Sequence, residues 1–181
     1  MLLLLAAGPA ASQLMAAAAE SEEAPEAKCK RPPVWSLGGG GAMPMRERLG
    51  SVVVLALLKR ICYMFVMRVF AILKELRAHL WKEGLRGIHY LIVNDNSSAS
   101  LARYEHLKAQ VPPAIPVLQH APNDTDVWST LGGTKDDFFI YDRCGRLVAK
   151  VGLPLSILAF PYVDEAVRRA YFTLDVCGPC N

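Results

Sequence analysis

The stretch SVVVLALLKRICYMFVMRVFAILKELRAHLWKEG, residues 51–84, decides the fold. Its apolar run Val52–Leu58 opens with β-branched residues and carries no charge, the pattern of a strand buried on both faces and too short to cross a membrane. After Lys59 and Arg60 the period changes. Val66, Val69, Phe70, Leu73, Leu76 and Leu80 recur at helical spacing, and Gly84 supplies a C-terminal stop. Cys62 therefore falls at a strand-to-helix junction, where the positive end of a helix and two adjacent cations favour thiolate over thiol. It is the best candidate nucleophile, set against the plainer reading of a buried cysteine that fills space.

Downstream, the run 88–93 (IHYLIV) predicts a second apolar strand, completing a strand-helix-strand unit whose crossover should be parallel. Ser98 or Ser100 can cap a helix through Gln110 that Pro112-Pro113 prevents from continuing, and residues 115–118 form a short extended piece. TDVWSTLGG reads as a short helix with Asp126 near its start and Trp128 in the core. Residues 137–141 and 147–151 read as antiparallel strands of a hairpin, with Gly145 supplying the positive φ of the turn; Pro161 opens a final helix. This order, with a cysteine after the first strand, is an α/β, thioredoxin-like arrangement: a central mixed sheet flanked by helices.

At 181 residues the chain has room for one ordinary domain and an appendage, and 52% hydrophobic residues with 20% charged make it globular rather than disordered. A net charge of +3 does not argue for nucleic acid. Residues 1–19 are apolar, rich in small residues and free of charge, and read as a secretory signal peptide; no transmembrane segment is expected. Residues 20–50 read as an N-terminal arm and linker, 51–176 as the thioredoxin-like domain, and 177–181 as a CGPC tail. Within the arm, CKRPPVW (29–35) either docks on the domain, tethered through Cys29, or stays disordered. Export agrees with two glycosylation acceptors, Asn96 and Asn123, in polar surroundings. Of the five cysteines, Cys29, Cys62, Cys144, Cys177 and Cys180, four can then pair and one stay free, which suits a reactive thiol in an extracellular setting.

The segments CK-PP-W at 29–35, TDVW at 125–128, KDDFFIYDRCGRL at 135–147, GLP at 152–154 and FPYVDEA at 160–166 resemble the N-terminal domain of the selenoprotein P family. The resemblance covers nearly everything from Cys29 to Cys180. It implies a secreted protein of selenium transport and extracellular antioxidant defence, with a selenocysteine-x-x-cysteine motif after the first strand. Counting from Ser51 places the selenocysteine position on Cys62 and the resolving position on Phe65, so the second redox partner is absent here. The implied chemistry is that of a thiol or selenol peroxidase: selenium enters as selenocysteine at the Cys62 position, a hydroperoxide or thiol is the substrate, a glutathione-type thiol is the reductant, and no cofactor is bound. The family's long selenocysteine-rich tail has no counterpart before Asn181, so the chain resembles a short form. The competing class is a non-catalytic module that binds a cell-surface receptor or other partner on the same scaffold.

CGPC at 177–180 has the letters of a redox motif but follows the last helix instead of opening one, which favours a local disulfide over a catalytic dithiol while leaving exchange with other thiols open. Cys144 would then pair with Cys29, although four cysteines allow three connectivities and the sequence does not choose. His79, His89, His106 and His120 have no ligand spacing, so no metal is expected; His89 and Tyr90 read as solvent-face residues of the second strand. The junction 133–136 ahead of the hairpin carries no proline, leaving Thr134 and Lys135 to face the nucleophile. Asp136-Asp137 reads as a strand-initiating turn.

Overall fold

The computed structural model describes residues 28–37, 41–59, 63–121, 124–156, 161–172 and 176–180. Strand β1 (Val52–Leu58) is followed by helix α1 (Tyr63–Lys82), strand β2 (Ile88–Asn94), helices α2 (Ser98–Leu101) and α3 (Tyr104–Gln110), and strand β3 (Val117–Leu118). Helix α4 (Val127–Thr130), strands β4 (Phe138–Tyr141) and β5 (Leu147–Val151), and helix α5 (Tyr162–Phe172) complete the order. The five strands form one mixed sheet in the order β3-β2-β1-β4-β5. β1, β2 and β3 run parallel, and β4 is antiparallel to both β1 and β5.

β1 is the central strand and every one of its residues is buried, as an uninterrupted apolar run requires when both sheet faces are covered. The two-residue period of a strand divides its side chains between two cores. Val52, Val54, Ala56 and Leu58 pack with Phe70, Leu73 and Leu80 of α1 and with Val163, Ala166, Val167 and Ala170 of α5. Val53, Leu55 and Leu57 face the opposite side, where Trp35 and Leu37 of the arm, Val127 of α4, Phe139 and Tyr141 close the layer. The segment 29–35 therefore docks on the domain, and Trp35, only 4% exposed, supplies core on a face that no long helix covers among the described residues.

Several local features depart from the periodicity. The helix expected through Gln110 divides into α2 and α3, and neither Ser98 nor Ser100 caps it: Ser97 occupies the N-cap without a side-chain bond, and Ser100 is buried. Tyr90 is buried, not on a solvent face, because β2 lies between β1 and β3 and its side chain joins the α1/α5 core. Gly145 does turn the hairpin at φ +73°. A Cβ on Gly133 would collide with Leu57 Cδ1 and crowd the Phe139 ring: the loop before β4 lies so close to the end of β1 that a side chain there would displace Leu57.

Candidate functional site

Cys62 lies outside the described residues, and the site is built from what surrounds the strand end leading to it. The C-terminal ends of β1 and β2 are adjacent, Leu58 opposite Asn94, and the Asp95 N–H donates to the Leu58 carbonyl at 3.2 Å. The Asp95 carboxylate accepts from the backbone N–H and the hydroxyl of Ser97, and it lies 3.4 Å from Lys59 Nζ. Burial pushes this carboxyl up, but the Ser97 and Ser100 hydrogen bonds and the Lys59 charge together bring it below the usual value. Lys59, one of the two cations beside Cys62 in sequence, is thus already paired with an anion, so part of its field is spent locally.

β4 is antiparallel to β1, so the turn that initiates it reaches the same end of the sheet. Asp136 N–H donates to Leu57 O, and Leu57 N–H donates to Asp137 O, both at 2.9 Å. Asp137 organises the turn by accepting from the Thr134 N–H at 2.7 Å and from the Thr134 hydroxyl at 3.1 Å, and it pairs with Lys150 at 3.1 Å. Asp136 holds φ +65°, an uncommon conformation for a residue with a side chain. Its buried Oδ2 has no hydrogen-bond partner among the described residues, and Lys135 Nζ is 3.4 Å away. Burial raises the Asp136 carboxyl; Lys135 opposes the rise and Asp137 adds to it. Thr134 and Lys135 thus sit on the loop that flanks the end of β1, while Asp136-Asp137 forms the strand-initiating turn.

His120, one of the four histidines without ligand spacing, is buried in the fold. His120 is 1% exposed, just past β3, with neither ring nitrogen hydrogen-bonded among the described residues and Asp126 Oδ1 3.6 Å from Nε2. Asn94, also buried, reaches toward it through Gln119. No spacing rule marks this histidine, because only the parallel pairing of β2 with β3 brings it to that sheet end. His89 is elsewhere: it pairs with Val53 near the start of β1, is exposed, and has an imidazole lowered first by partial burial and then by Arg48. Among the described residues no group of three or more His, Cys, Asp or Glu is arranged to hold a metal. No described helix is long and apolar enough to cross a membrane. Asn96 is exposed in the loop after β2; Asn123 lies outside the described residues.

The other four cysteines form Cys29–Cys177 and Cys144–Cys180, with Cα atoms 5.1 Å and 5.5 Å apart. This corrects two expectations: CGPC does not close on itself, and Cys144 does not pair with Cys29. The reason is tertiary. The arm runs beside β5, with Cys29 N–H donating to Leu147 O and Leu147 N–H to Lys30 O. Arg146 gathers the tail over the hairpin by donating to the carbonyls of Cys177, Gly178 and Pro179. Each tail cysteine consequently meets a partner fixed elsewhere. Both bonds lie at the hairpin end of the sheet, where Gly50 N–H donates to Arg143 O, and the whole of β1, about 20 Å, separates them from Leu58.

A family profile described as "Selenoprotein P, N terminal region" matches residues 24–181. The chain belongs to the selenoprotein P family. Selenoprotein P of Homo sapiens is 48% identical over 153 residues, covering 84% of this chain, and selenoprotein P of Pongo abelii gives the same figures. Selenoprotein Pb of Danio rerio is 42% identical over 169 residues, covering 93% of the chain. The chain spans about 39% of the length of the mammalian relatives and 63% of the zebrafish protein. Among solved structures, yeast Sco1 superposes with TM-score 0.59 at 13% identity, covering 76% of this chain and 98% of that one. The thioredoxin-like superfamily protein SPOA0173 does so with TM-score 0.57 at 14% identity, covering 80% and 96%. At such identities the likeness establishes the fold alone, and the fold is thioredoxin-like. The selenoprotein P domain thus places its strand-to-helix junction and its disulfides at opposite ends of one sheet.

Proposed function

We propose that this selenoprotein P family domain is a secreted, glycosylated redox protein that reduces hydroperoxides with external thiols, in the service of selenium transport and extracellular antioxidant defence. The observation that carries the reading is the junction itself: a wholly buried central strand leads into a helix of 20 residues, with Cys62 just ahead of the helix in sequence. Helix N-termini favour thiolates, and an ionised sulfur is the nucleophile such chemistry needs. Export is supported by the apolar opening 1–19, by the exposed Asn96 acceptor and by two disulfides, which persist in oxidising compartments.

In the proposed cycle the Cys62 thiolate attacks the terminal peroxide oxygen. An S–O bond forms, the O–O bond breaks, and the alcohol leaves with a proton, giving a sulfenic acid. Phe65 stands at the resolving position, so a glutathione-type thiol condenses with the sulfenic acid, releasing water. A second thiol then attacks the mixed disulfide and restores the Cys62 thiolate. Selenocysteine at this position would follow the same electron count with a better nucleophile.

The decisive assay is thiol-dependent hydroperoxide consumption by the secreted protein. The rate should fall to background in Cys62→Ser; a rate unchanged by that substitution refutes the reading. The second reading, a receptor- or partner-binding module, draws on a mostly apolar cavity of about 310 Å³ under the arm, bordered by the exposed Val34 and Leu49. A module of that kind retains its binding in Cys62→Ser and shows no turnover in either form.

A further inference from the structure

Two disulfides converge on one four-residue turn, and they differ in access. Cys180 is exposed while its partner Cys144 is buried; Cys177 and Cys29 are both half-buried. A soluble thiol therefore meets Cys144–Cys180 first, through the Cys180 sulfur. We propose that the turn Cys177-Gly178-Pro179-Cys180 is a thiol–disulfide exchange site for dithiols, which passes reduction of Cys144–Cys180 on to Cys29–Cys177 by closing Cys177–Cys180. This site is independent of Cys62.

A thiolate of the dithiol attacks Cys180 Sγ, and Cys144 leaves as a thiolate and is protonated. The second sulfur of the dithiol then attacks the mixed disulfide, leaving as a cyclic disulfide and freeing the Cys180 thiolate. That thiolate attacks Cys177 Sγ: the Cys177–Cys180 bond forms, the Cys29–Cys177 bond breaks, and Cys29 takes up a proton. One dithiol is oxidised, two protein disulfides become one, and Cys29 and Cys144 end as thiols.

Three features suit the turn to this step. Gly178, at φ +70°, lies in a bend between the two cysteines, a backbone conformation that glycine adopts readily. The Arg146 guanidinium, itself held by the Asp142 carboxylate, stays bonded to the carbonyls of Cys177, Gly178 and Pro179, so the bend can keep its place while its sulfurs change partners. Cys29 is held at φ +63°, a left-handed conformation uncommon for a residue with a side chain. Trp35 and Leu37 remain in the core, so the arm loses its covalent anchor without leaving the domain.

The test uses the full secreted chain with Cys62→Ser, so that the four cysteines in question are the only sulfhydryl sources. Adding Cys144→Ser leaves Cys180 without its partner, ready to attack. After acid quenching, alkylation and peptide mapping, the label is expected on Cys29, with Cys177 linked to Cys180. Label on Cys180 with Cys29–Cys177 intact overturns the proposal. Should that variant fail to fold, dithiothreitol titration of the Cys62→Ser protein, with and without Cys180→Ser, decides instead. Loss of Cys29–Cys177 is expected to slow about tenfold or more without Cys180, the advantage of an intramolecular over an external attack. Equal rates overturn the proposal.

Discussion

At the scale of single residues, two aspartates at the same sheet end respond to their surroundings in opposite senses. Asp95 is held below its usual value, so the folded state binds its proton less readily than the unfolded chain; its contribution is complete above the ordinary carboxyl range and is lost as pH falls through it. Asp136 is held above its usual value, so the folded state binds its proton more readily, and stability declines as pH rises from the ordinary value of 3.8 toward the raised one. Denaturant unfolding between about pH 3 and pH 7 should show Asp95→Asn less stable at neutral pH and less sensitive to acid. Asp136→Asn should be more stable at neutral pH, with the decline removed. Neither shift was legible in the sequence. Asp136-Asp137 reads there as a turn, which it forms, but the burial of Asp136 follows from its backbone bond to Leu57, and the Asp95–Lys59 pairing from the β1/β2 register. The burial of His120 likewise depends on the pairing of β2 with β3.

At the scale of elements, the sequence spoke clearly wherever an apolar period ran long. β1 and α1 follow directly from the run after Ser51, and the hairpin from two apolar segments joined by a turn with Gly145. The segment after β2 is less clear: α2, of four residues, and α3, of seven, read as one helix, and β3 is two residues long. The arm is the instructive case. CKRPPVW has no period, yet Trp35 fills the face of the sheet that α1 and α5 leave open. Truncation of a core aromatic costs about 3–5 kcal/mol, and Trp35→Ala should lose an amount in that range by denaturant unfolding, whereas an arm that merely trailed in solvent would show no change. Gly133→Ala should cost about 1–3 kcal/mol through overpacking against Leu57 and Phe139, and the same measurement checks it.

At the scale of the molecule, the sheet separates the end of β1 that leads to Cys62 from the two disulfides. The strand-to-helix junction lies at one end, and the disulfide clasp that ties arm, hairpin and tail together lies at the other. The pairing of the four clasp cysteines could not be read from spacing, because both bonds join segments that only the folded chain brings together. On chain-entropy grounds Cys29–Cys177, closing most of the chain, stabilises by about 5 kcal/mol and Cys144–Cys180 by about 4 kcal/mol. Replacing Cys29 and Cys177 together by serine should therefore lower the melting temperature strongly while leaving hydroperoxide consumption below that temperature unchanged. A parallel loss of activity in a folded variant would show that the two ends are coupled.

The central claim is that Cys62 is an ionised, accessible nucleophile, and the pH dependence of its alkylation in the native secreted protein, resolved by peptide mass, tests it most directly. The account predicts rapid labelling at neutral pH, with a midpoint below the roughly 8.5 of an ordinary thiol. Labelling that occurs only after denaturation, or only above that ordinary value, would contradict it.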